Sequence, residues 1–160
     1  MSTYLSLDPV TVSIFLKLSA AILCGVILGT ERIIAHKTAG MRTYALASMG
    51  AALFVIIGDL MLAQYAGISD EGPSRIAAAI VTGIGFMGAG VIVLRGSNLT
   101  GITTASGLWV AAGIGMACGF GFYVPALMAT ILTLFIFIVL WRIEQRIKKL
   151  SPEDTTTELS

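Results

Sequence analysis

Five long apolar runs, separated by short polar segments, constrain this chain more than any other feature of its sequence. They are residues 9–29, 43–66, 76–94, 103–123 and 126–141. Each is close to the ~20 residues that an α-helix needs to cross the hydrocarbon core of a bilayer. The pattern predicts an all-α fold, a polytopic membrane helix bundle with about five transmembrane helices. Glu144 and Lys148 are spaced i,i+4, which extends the last helix to about Leu150.

The composition fits a chain whose surface mostly faces lipid. Only 12% of the 160 residues are charged, against about 25% in a typical soluble domain. Five spans use about 100 residues, which leaves no room for a soluble catalytic domain. We therefore expect one transmembrane domain, residues 1–150, and a disordered polar tail, residues 151–160. A net charge of +1 gives no overall basic field, so nucleic acid is not an expected partner.

The basic residues are distributed unequally between the two ends of the predicted bundle. Eight of them follow the first, third and fifth spans, whereas the opposite end has only Arg75. The positive-inside rule places the richer end in the cytoplasm, with the N-terminus outside and the C-terminus inside. The eight residues are Arg32, Lys37, Arg42, Arg95, Arg142, Arg146, Lys148 and Lys149.

The third span contains a Gly-x-Gly-x-x-Gly string. A dinucleotide site would need a strand before this string and a helix that opens at it. Here the string lies in the middle of an apolar run, so close helix packing explains it better. The residues predicted to pack are Gly83, Gly85, Gly88 and Gly90.

Small residues also recur every four positions in the fourth span, at Gly107, Ala111, Gly115 and Gly119. Lipid provides no hydrophobic drive between helices, so small residues allow their backbones to approach. One interpretation is packing within a single chain. The other is a homodimer seam or a docking face for another membrane protein. The sequence does not separate the two.

Two charged residues, Lys17 and Asp59, lie inside predicted spans. Ionisable residues in a membrane are costly and suggest a function. At 1.5 Å per residue, Asp59 lies about 25 Å beyond Arg42, and Lys17 about 21 Å before Glu31. The similar depths suggest an ion pair. The alternative is that Lys17 extends to the interface and Asp59 is exposed there.

The predicted cytoplasmic rim contains Glu31, Arg32, Arg42, Arg95, Thr103 and Thr104. The positive-inside rule alone accounts for most of these arginines. Such a rim could also bind an anionic headgroup or a partner's carboxylates. The chain has one histidine, and its carboxylates are scattered rather than clustered. Cys24 and Cys118 lie in apolar runs and are interpreted as small buried hydrophobes. We therefore expect no catalytic residues, no metal site and no cofactor.

Several strings together resemble the MgtC/SapB family of bacterial inner-membrane proteins. They occur in family order over roughly residues 20 to 123. The strings are Gly-Thr-Glu-Arg at 29–32, Ala-Gly-Met-Arg-Thr at 39–43, Gly-Ala-Ala-Leu-Phe at 50–54, Pro-Ser-Arg-Ile-Ala-Ala at 73–78, the glycine string at 83–90, Gly-Ile-Thr-Thr-Ala at 101–105 and Leu-Trp-Val-Ala-Ala at 108–112.

The resemblance implies five spans in the bacterial plasma membrane, with the N-terminus outside. It also implies a role in survival at low magnesium and, in pathogens, inside host cells. Family members are linked to restraint of the F-type ATP synthase and to magnesium and potassium uptake. The family's polar motif residues map onto Glu31, Arg32, Arg42, Thr43, Arg75, Thr103 and Thr104.

The chain departs from the family pattern at three positions. Gly72 replaces the usual aspartate before Pro73, Ala79 replaces a frequent glutamine, and Tyr44 replaces a frequent histidine. The changes at Gly72 and Ala79 weaken the case for a polar or ion-related role around the third span. Longer members also carry a soluble C-terminal domain, and the chain resembles the short form.

Two functions from different classes remain open. The first is a non-enzymatic regulator that contacts other membrane proteins through small-residue helix faces. It would lie in the lipid bilayer, and the sequence leaves open whether it forms a homo-oligomer. The second is a small transporter or channel for magnesium or another cation. Glycine-interrupted helices near the bilayer midplane favour the second function, whereas the shortage of acidic residues favours the first.

Overall fold

The computed structural model describes residues 8–64 and 72–150. In chain order the elements are α1 (Pro9–Ile34), α2 (Met41–Gln64), α3 (Gly72–Val91), β1 (Val93–Arg95), β2 (Asn98–Thr100), α4 (Ile102–Gly119), α5 (Tyr123–Phe135) and α6 (Trp141–Leu150). A π-helical turn, Ile136–Leu140, joins α5 to α6 in one continuous helix. The predicted polar tail, residues 151–160, lies outside the described residues.

The predicted helical bundle is confirmed. Within the described segments five helices are long and apolar enough to cross a membrane, the fifth being the continuous helix Tyr123–Leu150. That helix reaches Leu150, as the spacing of Glu144 and Lys148 predicts, and the two side chains pair at 2.7 Å. Asp8 occupies the N-cap position before Pro9, so α1 begins where its sequence indicates.

Helix α4 forms the centre of the bundle and packs against α1, α2, α3 and α5. Half of its residues are buried, whereas α3 buries only Ile84 and Gly88. The hydrophobic core lies around α4, with Leu108 and Ala111 among its fully enclosed members. Helix α3 is therefore a peripheral helix, exposed along most of its length.

Glycines bring α1 and α2 into backbone contact. A Cβ atom added at Gly25 would lie 2.7 Å from the Cα of Ala45, and one at Gly29 would lie 2.7 Å from the amide nitrogen of Met41. His36 ends α1 with a positive φ of 55°, which lets the amide of Lys37 donate to the carbonyl of Arg32 at 2.9 Å. This helix-ending motif reverses the chain within a few residues.

The predicted third span is too long at its C-terminal end. It was expected to reach Leu94, but α3 ends at Val91 and a two-stranded antiparallel hairpin follows. Val93 pairs with Thr100, and Arg95 with Asn98, around a two-residue turn that begins at Gly96 with φ +62°. β-branched residues followed by Gly-Ser favour a hairpin over further helix.

The small-residue stripe of α4 faces α2 inside the chain. A Cβ atom at Gly115 would overlap the backbone carbonyl of Ser48, and one at Gly119 would lie 2.8 Å from the carbonyl oxygen of Ala52. Ala111 is fully buried, and Gly107 lies under Tyr44. The stripe is therefore occupied by α2, in agreement with the interpretation as packing within a single chain.

The glycines of α3 do not share this role. Among the described residues, nothing lies within 4 Å of a Cβ atom placed at Gly83, Gly85 or Gly90, and Gly88 makes only an ordinary contact, 3.6 Å from Ala105. The expectation of close helix packing is therefore wrong for three of these four glycines within the chain. The physical reason is the peripheral position of α3, which packs on α4 and on part of α2 and leaves the rest of its surface open.

A buried hydroxyl in α2 gives a stability prediction. Within the described segments, the Oγ atom of Ser48 is buried and has no hydrogen-bond partner. An unpaired buried hydroxyl costs free energy, so we expect Ser48→Ala to leave the free energy of unfolding unchanged or to raise it by about 1 kcal/mol.

Thr130 provides the matched comparison, because its buried Oγ1 atom donates to the carbonyl of Ala126 at 2.8 Å. Thr130→Val removes a bonded hydroxyl with little change of shape and should lower stability by about 1 kcal/mol. Unfolding in mixed micelles measures both variants. A larger fall in the free energy of unfolding for Ser48→Ala than for Thr130→Val would contradict the prediction.

Candidate functional site

The residues predicted from sequence converge best at the end of the bundle where α1 ends and α2 begins. We call this the basic end, since the α1–α2 connection, the hairpin and α6 all lie there. At its centre is a cluster of five residues from four helices, which we call the arginine cluster. Its members are Glu31, Arg32, Tyr44, Thr104 and Phe137.

Arg32 is the most unusual member because it is a charged side chain only 2% exposed. The last turn of α1 directs it into the bundle, where it forms an ion pair with neighbouring Glu31. Its guanidinium carbon lies 3.4 Å from the centre of the Phe137 ring, a cation–π contact. A buried arginine in a lipid-embedded chain is tolerated because both partners lower the cost of its burial.

Tyr44 and Thr104 complete the cluster on the other side of Phe137. The fully buried Tyr44 hydroxyl donates to the backbone carbonyl of Thr104 over 3.4 Å, a long hydrogen bond. A Cβ atom at Gly107 would lie 2.7 Å from Cζ of Phe137 and would overlap the Tyr44 hydroxyl. The absence of a side chain at Gly107 therefore makes the space that the two rings fill.

The cluster joins helices rather than exposing reactive groups. Arg32 of α1 contacts the π-helical turn, Tyr44 joins α2 to the start of α4, and Gly107 receives both rings. Buried charged networks of this kind fix one arrangement of the surrounding helices. The arrangement is suited to holding the basic end in a single conformation.

The other predicted residues of the rim lie around this cluster but outside it. Arg42 and Thr103 are exposed, in the first turns of α2 and α4, and Thr43 is half-buried. Arg95 ends β1 in register with Asn98. Arg75 is exposed near the start of α3, so the structure places it at the opposite end from the arginine cluster.

Lys17 and Asp59 do not form the predicted ion pair. They line one groove between α1 and α2, of about 570 Å³, but no ion pair joins them in the part of the chain that the structure describes. The stem of Lys17 also passes close to the α4–α5 turn, where its Cε atom lies 3.8 Å from a Cβ position built on Gly121.

Potential metal ligands do not gather into a larger cluster among the described residues. Across residues 8–64 and 72–150, no three histidine, cysteine, aspartate or glutamate side chains come together as a group that could hold a metal ion. Cys24 and Cys118 are free thiols, and Cys118 is buried in the core. Gly72 begins α3 and Ala79 is exposed on it, so two of the three departures from the family pattern lie on the peripheral helix.

Two members of the arginine cluster were not predicted as site residues. Tyr44 was named only as a departure from the family pattern. Its position directly after Arg42 and Thr43, at the start of an apolar run, is the signal that could have identified it. Phe137 lies in the run Ile-Phe-Ile-Val-Leu, where nothing distinguishes it from its neighbours. Its role depends on the π-helical turn, which the sequence pattern does not indicate.

An all-α bundle with five apolar spans and a buried ion pair defines a multi-pass helical membrane protein. The sequence profile described as the MgtC family matches residues 18–146. The chain belongs to the MgtC family, as the resemblance in its sequence strings indicates.

Two groups of relatives are similar over most of the chain. The chain is 44% identical over 130 residues to a protein of Escherichia coli (strain K12) named "Putative magnesium transporter YhiD", covering 80% of this chain and 60% of that relative. It is 46% identical over 135 residues to "Protein MgtC" of Salmonella typhimurium (strain LT2), covering 84% and 55% respectively. The chain thus spans only a little over half the length of these relatives. No solved structure matches it.

Proposed function

We propose that this protein is a non-enzymatic regulator that acts on other membrane proteins by contact within the bilayer. Its membrane would be the bacterial inner membrane, with the N-terminus outside and the basic end in the cytoplasm. Membership of the MgtC family and the names of the relatives support a link to magnesium. Adaptation to low magnesium is the condition in which we expect it to act, and the ATP synthase or an ion-uptake system would be its target.

The observation that carries the proposal is a lateral groove between α2 and α3, with a volume of about 620 Å³. We call it the α2–α3 groove. Phe54 and Met61 of α2 and Met87 of α3 are among its lining residues, and the small residues Gly50 and Gly83 widen it. An apolar groove with small residues in its walls is suited to receive a helix of another membrane protein.

The position of the groove changes the surface that we assign to the partner. The sequence offered the stripe from Gly107 to Gly119 as a docking face, but α2 occupies that stripe. Helix α3 remains peripheral, and Gly83 lines the groove with open space before it. A partner helix would bind beside α3 and contact α2 through Phe54.

Site-specific photocrosslinking in native membranes tests this proposal. A photoreactive amino acid at Phe54 or Met87 should form an adduct with a different membrane protein, more strongly after growth at low magnesium. Leu127 and Ile131 are the controls, because both are exposed on α5, which packs on α1 and α4. We expect only lipid adducts there. Equal protein adducts at both faces, or adducts only with a second copy of this chain, would contradict the proposal.

A small cation transporter or channel is the alternative function. It is favoured by the name of the Escherichia coli relative, "Putative magnesium transporter YhiD". Magnesium flux into liposomes that contain the pure protein discriminates between the two functions. A magnesium flux that falls in the Asp59→Asn variant would favour transport. A magnesium flux equal to that of empty liposomes would favour the regulator.

A further inference from the structure

The groove between α1 and α2 contains two opposite charges that do not neutralise each other. Its polar residues are Ser13, Lys17 and Asp59, and most of its remaining wall is apolar. In the described part of the chain, neither charged side chain has an ion-pair or hydrogen-bond partner. We call this space the Lys17–Asp59 groove.

Unpaired charges at this position require an explanation. Lys17 is half-buried and Asp59 is exposed, on helices that are otherwise apolar around them. A charge inside a span is costly and is usually matched by a partner or by water. Because the two helices run antiparallel, the first half of α1 and the second half of α2 meet at the end opposite to the basic end.

The level of the groove corresponds to the boundary between hydrocarbon and headgroups. Asp59 is 17 residues beyond Arg42, about 25 Å along α2, so it lies near the far edge of a core about 30 Å thick. Side chains on a helix lean towards its N-terminus, which directs Lys17 towards the same edge. Both charges can therefore reach the level at which lipid phosphates lie.

A ligand that satisfies this groove needs three features. It needs an anionic group for the Lys17 ammonium, a cationic hydrogen-bond donor for the Asp59 carboxylate, and apolar chains that leave sideways past residues such as Ile14 and Leu60. A phospholipid with a primary ammonium in its headgroup has all three.

We propose that the Lys17–Asp59 groove binds the headgroup of an aminophospholipid such as phosphatidylethanolamine. The Nζ atom of Lys17 donates to the phosphate, and the carboxylate of Asp59 accepts from the headgroup ammonium. Ser13 supplies a further hydroxyl at the same groove. The binding is non-covalent and uses a lipid of the surrounding bilayer.

Native mass spectrometry of the full chain in detergent tests the site. The probe is phosphatidylethanolamine, compared with phosphatidylcholine and phosphatidylglycerol of identical acyl chains. Phosphatidylcholine has no ammonium hydrogen to donate, and phosphatidylglycerol has no cation. We expect about ten-fold weaker retention of either lipid, which corresponds to one charge-assisted hydrogen bond. Equal retention of the three lipids would overturn the proposal.

Variants of the two charged residues locate the binding. Lys17→Met and Asp59→Asn should each reduce retention of phosphatidylethanolamine about ten-fold. Arg75→Met is the matched control, since Arg75 is an exposed cation at the same end of the bundle but does not line the groove. A loss as large in Arg75→Met as in Lys17→Met would overturn the assignment.

Two further experiments distinguish loss of this binding site from misfolding of a variant and from binding of a different ligand. The exchanged variant Lys17→Asp/Asp59→Lys keeps both charges in the groove and should retain phosphatidylethanolamine better than either single variant. Soluble phosphoethanolamine should not displace the lipid at equal concentration, because it lacks the chains that pack on the apolar wall. Full displacement by phosphoethanolamine, or weaker retention in the exchanged variant than in both single variants, would overturn the lipid assignment.

Discussion

The Gly115→Ala variant is expected to lose at least about 3 kcal/mol of stability, although it adds a single methyl group. Overpacking a well-filled interior usually costs about 1–3 kcal/mol, and occasionally more. Here the added carbon would overlap the backbone carbonyl of Ser48, and a backbone atom cannot rotate away as a side chain can. The variant must separate α2 from α4, which is the central contact of the bundle.

Gly113→Ala provides the matched control on the same helix. Nothing among the described residues lies within 4 Å of a Cβ atom at Gly113, so the methyl group meets open space. Alanine also favours helix over glycine by up to about 1 kcal/mol. We expect Gly113→Ala to be as stable as the parent or slightly more stable.

Thermal unfolding in a mild detergent measures both variants, with gel filtration to check that they remain dispersed. Equal stability of Gly115→Ala and Gly113→Ala would contradict the close approach of α2 to α4. Loss of a partner without loss of stability in Gly115→Ala would instead return this stripe to the role of a docking face.

The second large effect is expected at the ion pair of the arginine cluster. Glu31→Leu leaves the buried Arg32 without its counter-charge, and Arg32→Met leaves the Glu31 carboxylate without its cation. Breaking a buried pair by removing one partner costs about 3–5 kcal/mol. We expect each single variant to be destabilised by roughly the lower of these values, since Glu31 keeps some contact with solvent.

The double variant Glu31→Leu/Arg32→Met should recover most of this loss, because well-packed apolar residues can replace a buried pair at little cost. Glu144→Gln is the control, since it removes the exposed pair with Lys148 and should change stability little. A double-mutant cycle by thermal unfolding gives the coupling energy directly. If the stability lost in the double variant equals the sum of the losses in the two single variants, the two residues are not coupled.

The sequence predicted the helices well because lipid imposes strict requirements on a chain that crosses it. A span needs about 20 apolar residues with all its backbone hydrogen bonds made internally. The type of secondary structure was wrong after α3, where Val93 and Leu94 are as apolar as the span before them. Hydropathy cannot distinguish an apolar hairpin from an apolar helix, whereas Gly96 and the β-branched residues indicate the turn.

Glycine spacing alone could not predict which glycines are in contact. Gly83 and Gly115 occupy similar small-residue patterns, yet one faces open space and the other faces a backbone carbonyl. The difference depends on which helix is central, and this is a property of the whole bundle. Helix α4 is enclosed because α1, α2, α3 and α5 all pack around it.

The candidate site was only partly predictable for a similar reason. Glu31, Arg32 and Thr104 were identified from their positions at span ends, and the structure brings all three to the arginine cluster. Lys17 and Asp59 were predicted to pair because of their similar depth, but depth does not determine the direction of a side chain. The two side chains line one groove, and no ion pair joins them among the described residues.

The π-helical turn at Ile136–Leu140 affects more than the position of Phe137. Its wider hydrogen-bonding ring contains one residue more than an α-helical turn, and one residue corresponds to about 100° of rotation around the axis. The basic edge of α6, at Arg142, Arg146 and Lys149, is therefore turned relative to the lipid-facing edge of α5. The turn acts as a fixed angular offset between the membrane-embedded half of the last helix and its charged half. Arg32 lies against Phe137 and therefore contacts this helix at the π-helical turn itself.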